Sequence, residues 1–414
     1  MEQVPRRVVI VGGGFAGVRA GLDLAGKKLS NTKVTLVTDK PHFEYHAALY
    51  RVVTGRSPLE VCIPLREIFG TDDKDIEILV DEIVSIDTDS HRVIGKSGSD
   101  YVYDELVLAL GSETAHFNIP GLRELSYGFK SIQEALRLKQ HLHEMFSSCE
   151  KISPEDRVCA AHIVVVGGGA SGVELAGELA LYTKKLARHH GLDQSLVTID
   201  LIETAPRLLP ALDVRLSLRV LKRLRDLGVN IFLNRTIVHE EIETLYMKDM
   251  EMKTKTVVWT AGVKPHALYA KLAGVTTDKK GRVVVDEYLR AEGLSNVYVV
   301  GDGASTQFSG MAQTALADGA FVAHAIAGSS RTFFGRYTPK RPHYAVPVGP
   351  GWAAVQIGSM RFYGTVGWWL RRLADLRFYL SILPTGKAVV AFRARQLTTE
   401  VCPLCTQDVL RVHE

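Results

Sequence analysis

The 414-residue chain has little cysteine, no long apolar run and almost no charge imbalance. Five Cys are too sparse for a disulfide framework at this length, and the odd number points to reduced thiols. The first apolar run, residues 8–11, stops at three glycines. A secretory signal needs about 7–15 apolar residues in its core. Nowhere do roughly 18 uncharged apolar residues follow one another, so no spanning helix is expected. These absences lead to the expectation of an intracellular protein, soluble or peripheral to a membrane. Lys plus Arg is 50 and Asp plus Glu is 46, leaving +4. So small a balance gives no reason to expect nucleic acid as a partner, while a local basic patch can still touch anionic lipid. With 46% apolar and 23% charged residues the composition is that of an ordinary globular protein. The length suits about two or three domains.

What is present is present twice. VVIVGGGFAGVRAGLDLA (8–25) and IVVVGGGASGVELAGELA (163–180) align without gaps, 155 residues apart. That offset is too long for a solenoid and fits two copies of one domain type. Each copy reads as a β-branched, buried parallel strand, then G-x-G-x-x-G, then a helix. The glycines are Gly12, Gly14 and Gly17 in the first copy and Gly167, Gly169 and Gly172 in the second. The first glycine of each permits a tight turn, the second lets the backbone approach a pyrophosphate, and the third lets helix and strand pack closely. The helix N-terminus then offers free N–H groups and a positive dipole end.

The motif also needs an acid at the end of the next strand, to bond a ribose hydroxyl. Asp39 closes VTLVTD, 22 residues past Gly17, and Glu203 closes VTIDLIE, 31 residues past Gly172. The excess predicts a longer helix or an insertion at 183–195, a basic stretch read as a solvated loop. One glycine loop alone is a weak sign. Two, each with strand, helix and distal acid, imply two dinucleotides, an FAD and an NAD(P)H. Glu203 would face the 2′-phosphate of NADPH as a like charge. At about 4 Å that costs about 1 kcal/mol in water and about 4 kcal/mol at an effective dielectric near 20. A preference for NADH of roughly ten-fold or more follows, unless Arg207 softens it by pairing with a phosphate.

Further segments extend the pattern: YDELVLALGS (103–112), WTAGVKP (259–265), NVYVVGDGA (296–304) and the helical MAQTALADGAFVAHAI (311–326). With the repeat, they make residues 5–330 resemble the two-dinucleotide-binding-domain flavoproteins of the pyridine nucleotide-disulfide oxidoreductase superfamily. GGGASGVELAGELA, WTAGVKP, the Ala312–Gln313 pair and the tail resemble, more narrowly, the type II NADH:quinone oxidoreductases. The resemblance implies an α/β fold of two Rossmann-like domains. A discontinuous FAD domain (1–125 and 285–335) would enclose an NADH domain (126–284), with a C-terminal region at 336–414. It implies FAD contacts at Gly12, Gly14, Phe15, Ala16, Gly17, Asp39, Gly111, Asp302 and Gln313. NADH contacts would be Gly167, Gly169, Gly172, Glu203 and Gly262. Glu174, read as a first-turn residue of the second helix, would be catalytic, positioning the nicotinamide or managing a proton.

The chain departs from the family at two places. The first acid usually follows its strand directly, where Thr38 stands, and Asp39 comes one residue later. Quinone-reducing relatives carry A-Q-x-A-x-Q-x-G on a helix beneath the flavin; Ala312, Gln313, Ala315 and Gly319 match, while Ala317 replaces the second Gln. Gln313, Ala317 and His46 are the expected quinone-side residues. Disulfide reductases of the superfamily carry a Cys pair where residues 41–53 have none, so thiol chemistry is not expected. Cys402 and Cys405 lack further zinc ligands, and no metal is expected. The implied reaction is NADH to FAD to quinone, without proton pumping. Alternatives are a soluble NAD(P)H-dependent flavoprotein reductase of another acceptor, or a flavin-based NADH-binding redox sensor.

In the tail, residues 347–364 read as two short strands and 365–383 as a helix. On a wheel, Val366, Trp369, Leu370, Leu373, Leu376 and Leu380 share one face, broken by Arg377. Arg371, Arg372 and Asp375 lie opposite. The pattern predicts a helix lying on the cytoplasmic side of the cell membrane. The alternative is a helix packed on the protein or on a second copy, as in a homodimer, which would leave the protein cytoplasmic.

Overall fold

Continuous β-branched runs dictate two central sheets. In the computed structural model, which describes residues 4–70, 75–149, 153–328 and 335–394, β1 (Arg6–Val11) is buried from Val8 onward. Burial on both faces suits a parallel strand covered by helices. The first glycine loop leads into α1 (Phe15–Ala25). β2 (Thr32–Thr38), α2 (Leu49–Val53), β3 (Glu77–Val80) and β4 (Glu105–Leu108) follow. The second copy gives β5 (His162–Val166) and α3 (Ala170–His189), then β6 (Thr198–Glu203), β7 (Val229–Leu233) and β8 (Thr256–Trp259). Next come β9 (Val297–Val299) and α4 (Ala312–Ala327). The last described elements are β10 (Tyr344–Pro347), β11 (Ala353–Ile357), β12 (Met360–Phe362), α5 (Gly364–Ile382) and α6 (Thr385–Ala394).

One sheet has the order β9-β4-β1-β2-β3 and the other β7-β6-β5-β8, with every neighbouring pair parallel. The fold is therefore α/β with parallel sheets, as the sequence implies. The chain leaves the first sheet after β4, builds the second, and returns with β9. β1 and β5 each sit where strand order reverses, so each glycine loop opens at the crevice where such sheets bind ligands. One apolar cluster runs from Val8 and Ile10 of β1 through Leu49 and Val52 of α2 to Val173 and Leu175 of α3, and on to Phe378 and Tyr379 of α5.

One expectation needs correction. The basic stretch at 183–195 is mostly helix: α3 is 20 residues long against 11 for α1, which accounts for the longer spacing to the second acid. Thr183 is fully buried with its hydroxyl on the Leu179 carbonyl at 2.6 Å, and Leu186 and Ala187 continue the apolar stripe, so the segment has a face to bury. In the tail, residues 347–364 hold two strands as expected, β11 and β12, and β10, which ends at Pro347, joins them in a three-stranded antiparallel meander. α5 is helical as expected, and part of its apolar stripe points outward while Arg371 and Asp375 turn inward beside Phe378, Tyr379 and Ile382. Arg371 and Asp375 are 8% and 1% exposed, while Val366, Trp369 and Leu373 are 59%, 56% and 59% exposed. Among the described residues no helix is long and apolar enough to cross a membrane. Cys402 and Cys405 lie outside the described residues.

Candidate functional site

The two glycine loops are built alike. Gly12 has φ +110° and Gly167 φ +119°, a region that disfavours side chains. A Cβ on Gly17 would stand 1.9 Å from the Gly12 carbonyl oxygen, and one on Gly172 1.9 Å from that of Gly167. Only hydrogen fits there. Gly14 and Gly169 differ: a Cβ on either would meet nothing within 4 Å. They are the N-caps of α1 and α3, and neither helix has a side-chain cap. Each loop therefore presents uncapped helix N–H groups beside open space, which fits a pyrophosphate. The residues at both loops fit the two dinucleotides that the sequence implies.

The acids differ. Gly12 N–H bonds to Val37 O and Gly167 N–H to Ile202 O, each at 2.8 Å, so Thr38 and Glu203 occupy the same place as the last residues of their strands. Glu203 turns back into its loop, accepting Gly168 N–H at 2.6 Å and Ala205 N–H at 2.7 Å. Thr38 is buried against Gly13, and Asp39 is exposed. Arg207 donates to the Leu209 and Leu212 carbonyls and to Ser217 Oγ, which commits it to its own loop. That corrects the suggestion that Arg207 reaches for a phosphate.

Around the first loop, Phe15 packs edge-on against Phe43 at 4.9 Å and 5.4 Å from Phe378 of α5. Ala16 lies against Gly301 and Gly319: a Cβ on Gly319 would be 2.3 Å from Ala16 O, which lets α4 ride close on α1. Gly111 accepts His266 N–H at 3.2 Å, and Gly262 faces the Phe117 ring. Asp302 lies in a single 3-10 turn, bonded by the Ser112 hydroxyl and 3.8 Å from Lys130 Nζ, and does not cap a helix. Burial lowers the Lys130 pKa, with Asp302 and Glu134 opposing.

Glu174 is the eye of the junction. It lies on the fifth residue of α3, beyond the first turn where the sequence reading put it. Its side chain is 9% exposed, and burial pushes its pKa from 4.5 to about 8, opposed by Arg371 and Arg51. A carboxyl that keeps its proton near neutrality can act as an acid.

The expected quinone-side residues are not clustered as free groups. Gln313 is exposed, with its Nε2 on the His343 carbonyl at 2.9 Å and its Oε1 accepting His343 N–H at 3.0 Å. Ala317 is exposed one turn further along α4. The His46 ring is 6.3 Å from that of Phe15 and 3.4 Å from Glu44 Oε2. Glu44 itself is buried but well supplied with donors from His42, His46 and Lys40, which hold its carboxyl far below the usual carboxylate range against the cost of burial.

Two groups escaped the sequence reading. Asp318, fully buried on α4, accepts Gly301 N–H at 2.9 Å and the Tyr337 hydroxyl. Burial raises its pKa to about 6. An acid among the small residues of ALADG was its visible signal. The other is a buried ionic cluster of Arg51, Glu60, Arg371 and Asp375, contributed by segments more than 300 residues apart. No local pattern announces it. Among the described residues no group of three His, Cys, Asp or Glu is placed to hold a metal ion.

Residues 6–319 match the pyridine nucleotide-disulphide oxidoreductase family. The type II NADH:quinone oxidoreductase Ndh of Mycobacterium tuberculosis is 32% identical, over 98% of this chain and 92% of its own length. Another, from Staphylococcus haemolyticus, is 30% identical over 79% of this chain and 83% of its own. Among solved structures, NDH2 from Plasmodium falciparum in complex with NADH shares the fold, with a TM-score of 0.84 at 17% identity over 94% of this chain and 96% of that one. With two matching glycine cradles behind it, the likeness is one of descent: the chain belongs to the pyridine nucleotide-disulphide oxidoreductase family and, within it, to the type II NADH:quinone oxidoreductases.

Proposed function

We propose that this chain is an FAD-dependent NADH:quinone oxidoreductase. NADH gives up a hydride and leaves as NAD⁺; a quinone takes up two electrons and two protons and leaves as quinol. FAD, when bound, supplies the two-electron carrier between them. Gly12, Gly14, Phe15, Ala16, Gly17, Gly111 and Asp302 would hold FAD, with Gln313 near its ring side. Asp39, the exposed carboxylate of the loop, is assigned to the ribose. Gly167, Gly169, Gly172, Glu203 and Gly262 would hold NADH. Residues 1–125 and 285–335 would form the FAD domain and 126–284 the NADH domain. Glu174 would keep a proton at its carboxyl through neutral pH and release it to a quinone oxygen. His46, Gln313 and Ala317 would line the quinone side.

The outward face of α5 supports a peripheral seat on a membrane surface, which we assign to the cytoplasmic side, where NADH is available. Val366, Trp369, Leu373 and Leu380 are exposed there, and Val390 of α6 is exposed as well. An apolar face with Trp and Leu, backed by buried charge, suits a helix lying in the lipid interface.

The observation that carries the reading is the pair of open, uncapped glycine cradles with a buried carboxyl, Glu174, on the helix of the second. NADH added anaerobically should bleach the flavin of the purified holoprotein, and a short-chain quinone should restore it. Glu174→Gln should slow the restored turnover by about 10²-fold, the lower range for a lost general acid. A bleached flavin that no quinone reoxidises would end the quinone reading in favour of another acceptor.

A further inference from the structure

We propose that Arg371, carried by α5, is a positioning residue that ties Glu174, the His46–Ala48 turn and strand β10 into one junction. Its guanidinium is buried and uses its edges on three different segments. Nη2 donates to the Ala47 carbonyl at 2.7 Å and Nη1 to the Ala345 carbonyl at 2.8 Å. Nη1 also stands 3.9 Å from Glu174 Oε1, and Nε is 3.0 Å from Asp375 Oδ1. Asp375 in turn accepts from the Tyr45 hydroxyl and from Arg51 Nη2, both at 2.8 Å, and Arg51 ion-pairs with Glu60. Arg371 therefore fixes, through Ala47, the turn that bears His46. Through its charge it faces the acid on α3.

The charges in this junction explain why the arrangement acts on a proton. Arg51 and Arg371 balance Glu60 and Asp375. An ionised Glu174 would be a third buried carboxylate with no cation of its own, so it holds its proton. The groups bearing on it come from every packed element. Glu178 lies on its own helix, Tyr50 and Arg51 on α2, and Arg371 and Asp375 on α5. Of these, Arg371 is the largest influence favouring the ionised form, and Asp375 opposes it. Removing either charge must therefore move the proton affinity of Glu174, in opposite directions. The outer face of the same helix is the apolar one, so the element that would meet lipid is also the one that sets the state of the acid.

The inference rests on the proposed function only for its effect on turnover. The test reads Glu174 directly, in holoprotein without substrate, from the infrared carbonyl band of its protonated carboxyl, identified by its loss in Glu174→Gln. Arg371→Gln should raise the midpoint at which this band disappears by about one pH unit, a ten-fold change in proton affinity. Arg371→Lys should recover part of that shift, and Asp375→Asn should lower the midpoint. Should Arg371→Gln fail to fold, Asp375→Asn and the charge-balanced double variant Arg371→Gln/Asp375→Asn carry the same test. Because the two removals act in opposite directions, the double variant's midpoint should lie above that of Asp375→Asn and below that of Arg371→Gln; a double-variant midpoint equal to the Asp375→Asn value would overturn the inference. Superimposable titrations across folded variants would overturn the inference and leave Arg371 a structural residue. Shifted midpoints in a protein that reduces no quinone would sink the proposed function and leave the inference standing.

Discussion

The two glycine cradles are near copies in sequence, yet each meets a different environment. Both place an extended glycine, Gly14 or Gly169, at an uncapped helix start over open space. They part at two positions. After the second strand, Glu203 folds into its loop and satisfies two backbone N–H groups, while its counterpart Thr38 fills space against Gly13 and leaves Asp39 outside. On the helix, Arg19 pairs with Asp23 one turn on, whereas the aligned Glu174 is buried against α5. The backbone cradle is thus the shared part. The side chains one shell away decide what each copy does with its ligand.

The strongest way to break the comparison is to fill the tightest spot in each copy. Gly17→Ala and Gly172→Ala each drive a Cβ into a carbonyl oxygen at 1.9 Å. Either should cost about 3 kcal/mol, the upper range for overpacking, read from denaturant unfolding. Gly17→Ala should lose flavin, and Gly172→Ala should keep it while failing to bind NADH.

Next comes the Arg19–Glu174 difference, read as pH dependence. Because the folded pKa of Glu174 is raised from 4.5 to about 8, its contribution to stability is complete below 4.5 and is lost as pH rises to about 8. Glu174→Gln should flatten that part of the unfolding free-energy curve, and Arg19→Gln should leave it unchanged. A wild-type curve rising through this range would contradict the burial argument.

A smaller effect separates cradle from fold. Gly14→Ala and Gly169→Ala add a methyl to open space, so unfolding should change by less than about 0.5 kcal/mol, as for a surface site. Flavin occupancy in the first and KM for NADH in the second should worsen by about ten-fold, because the methyl stands where the ligand backbone would approach. Unchanged affinity would mean that the open space is not the ligand's.

The smallest effects test the acids. Glu203→Gln should bring the NADH to NADPH ratio of kcat/KM from about ten toward unity, since the like charge is gone and Arg207 is otherwise engaged. Asp39→Asn keeps an acceptor for the ribose and loses only its charge, so flavin binding should weaken by about five-fold. A larger loss at Asp39 than at Glu203 would reverse the ranking of the two acids.

Much of the cradle was legible because it depends on local constraints. Gly12 and Gly167 declare a backbone turn, Gly17 and Gly172 a close approach, and the β-branched runs before them a buried parallel strand. The longer α3 was half legible: the spacing gave the extra length, but only burial of Thr183, Leu186 and Ala187 made it helix. The wheel of 365–383 sorted polar from apolar residues correctly and left open which side turned inward. Arg371 and Asp375 go inside because Arg51, Tyr45 and two backbone carbonyls wait there, and those partners come from the far end of the chain. Asp318 was visible as a residue but not as a partner of Gly301 and Tyr337.

The sequence by itself determined the repeat, the glycine geometry and the alternation of strand and helix, because each is set by neighbours along the chain and by steric rules that act over a few residues. Only tertiary structure decided which carboxyl keeps its proton, which acid reaches its loop and which face of α5 meets solvent. Those outcomes depend on desolvation and on charges brought together from distant segments, and electrostatic energy follows distance in space with no regard for distance in sequence.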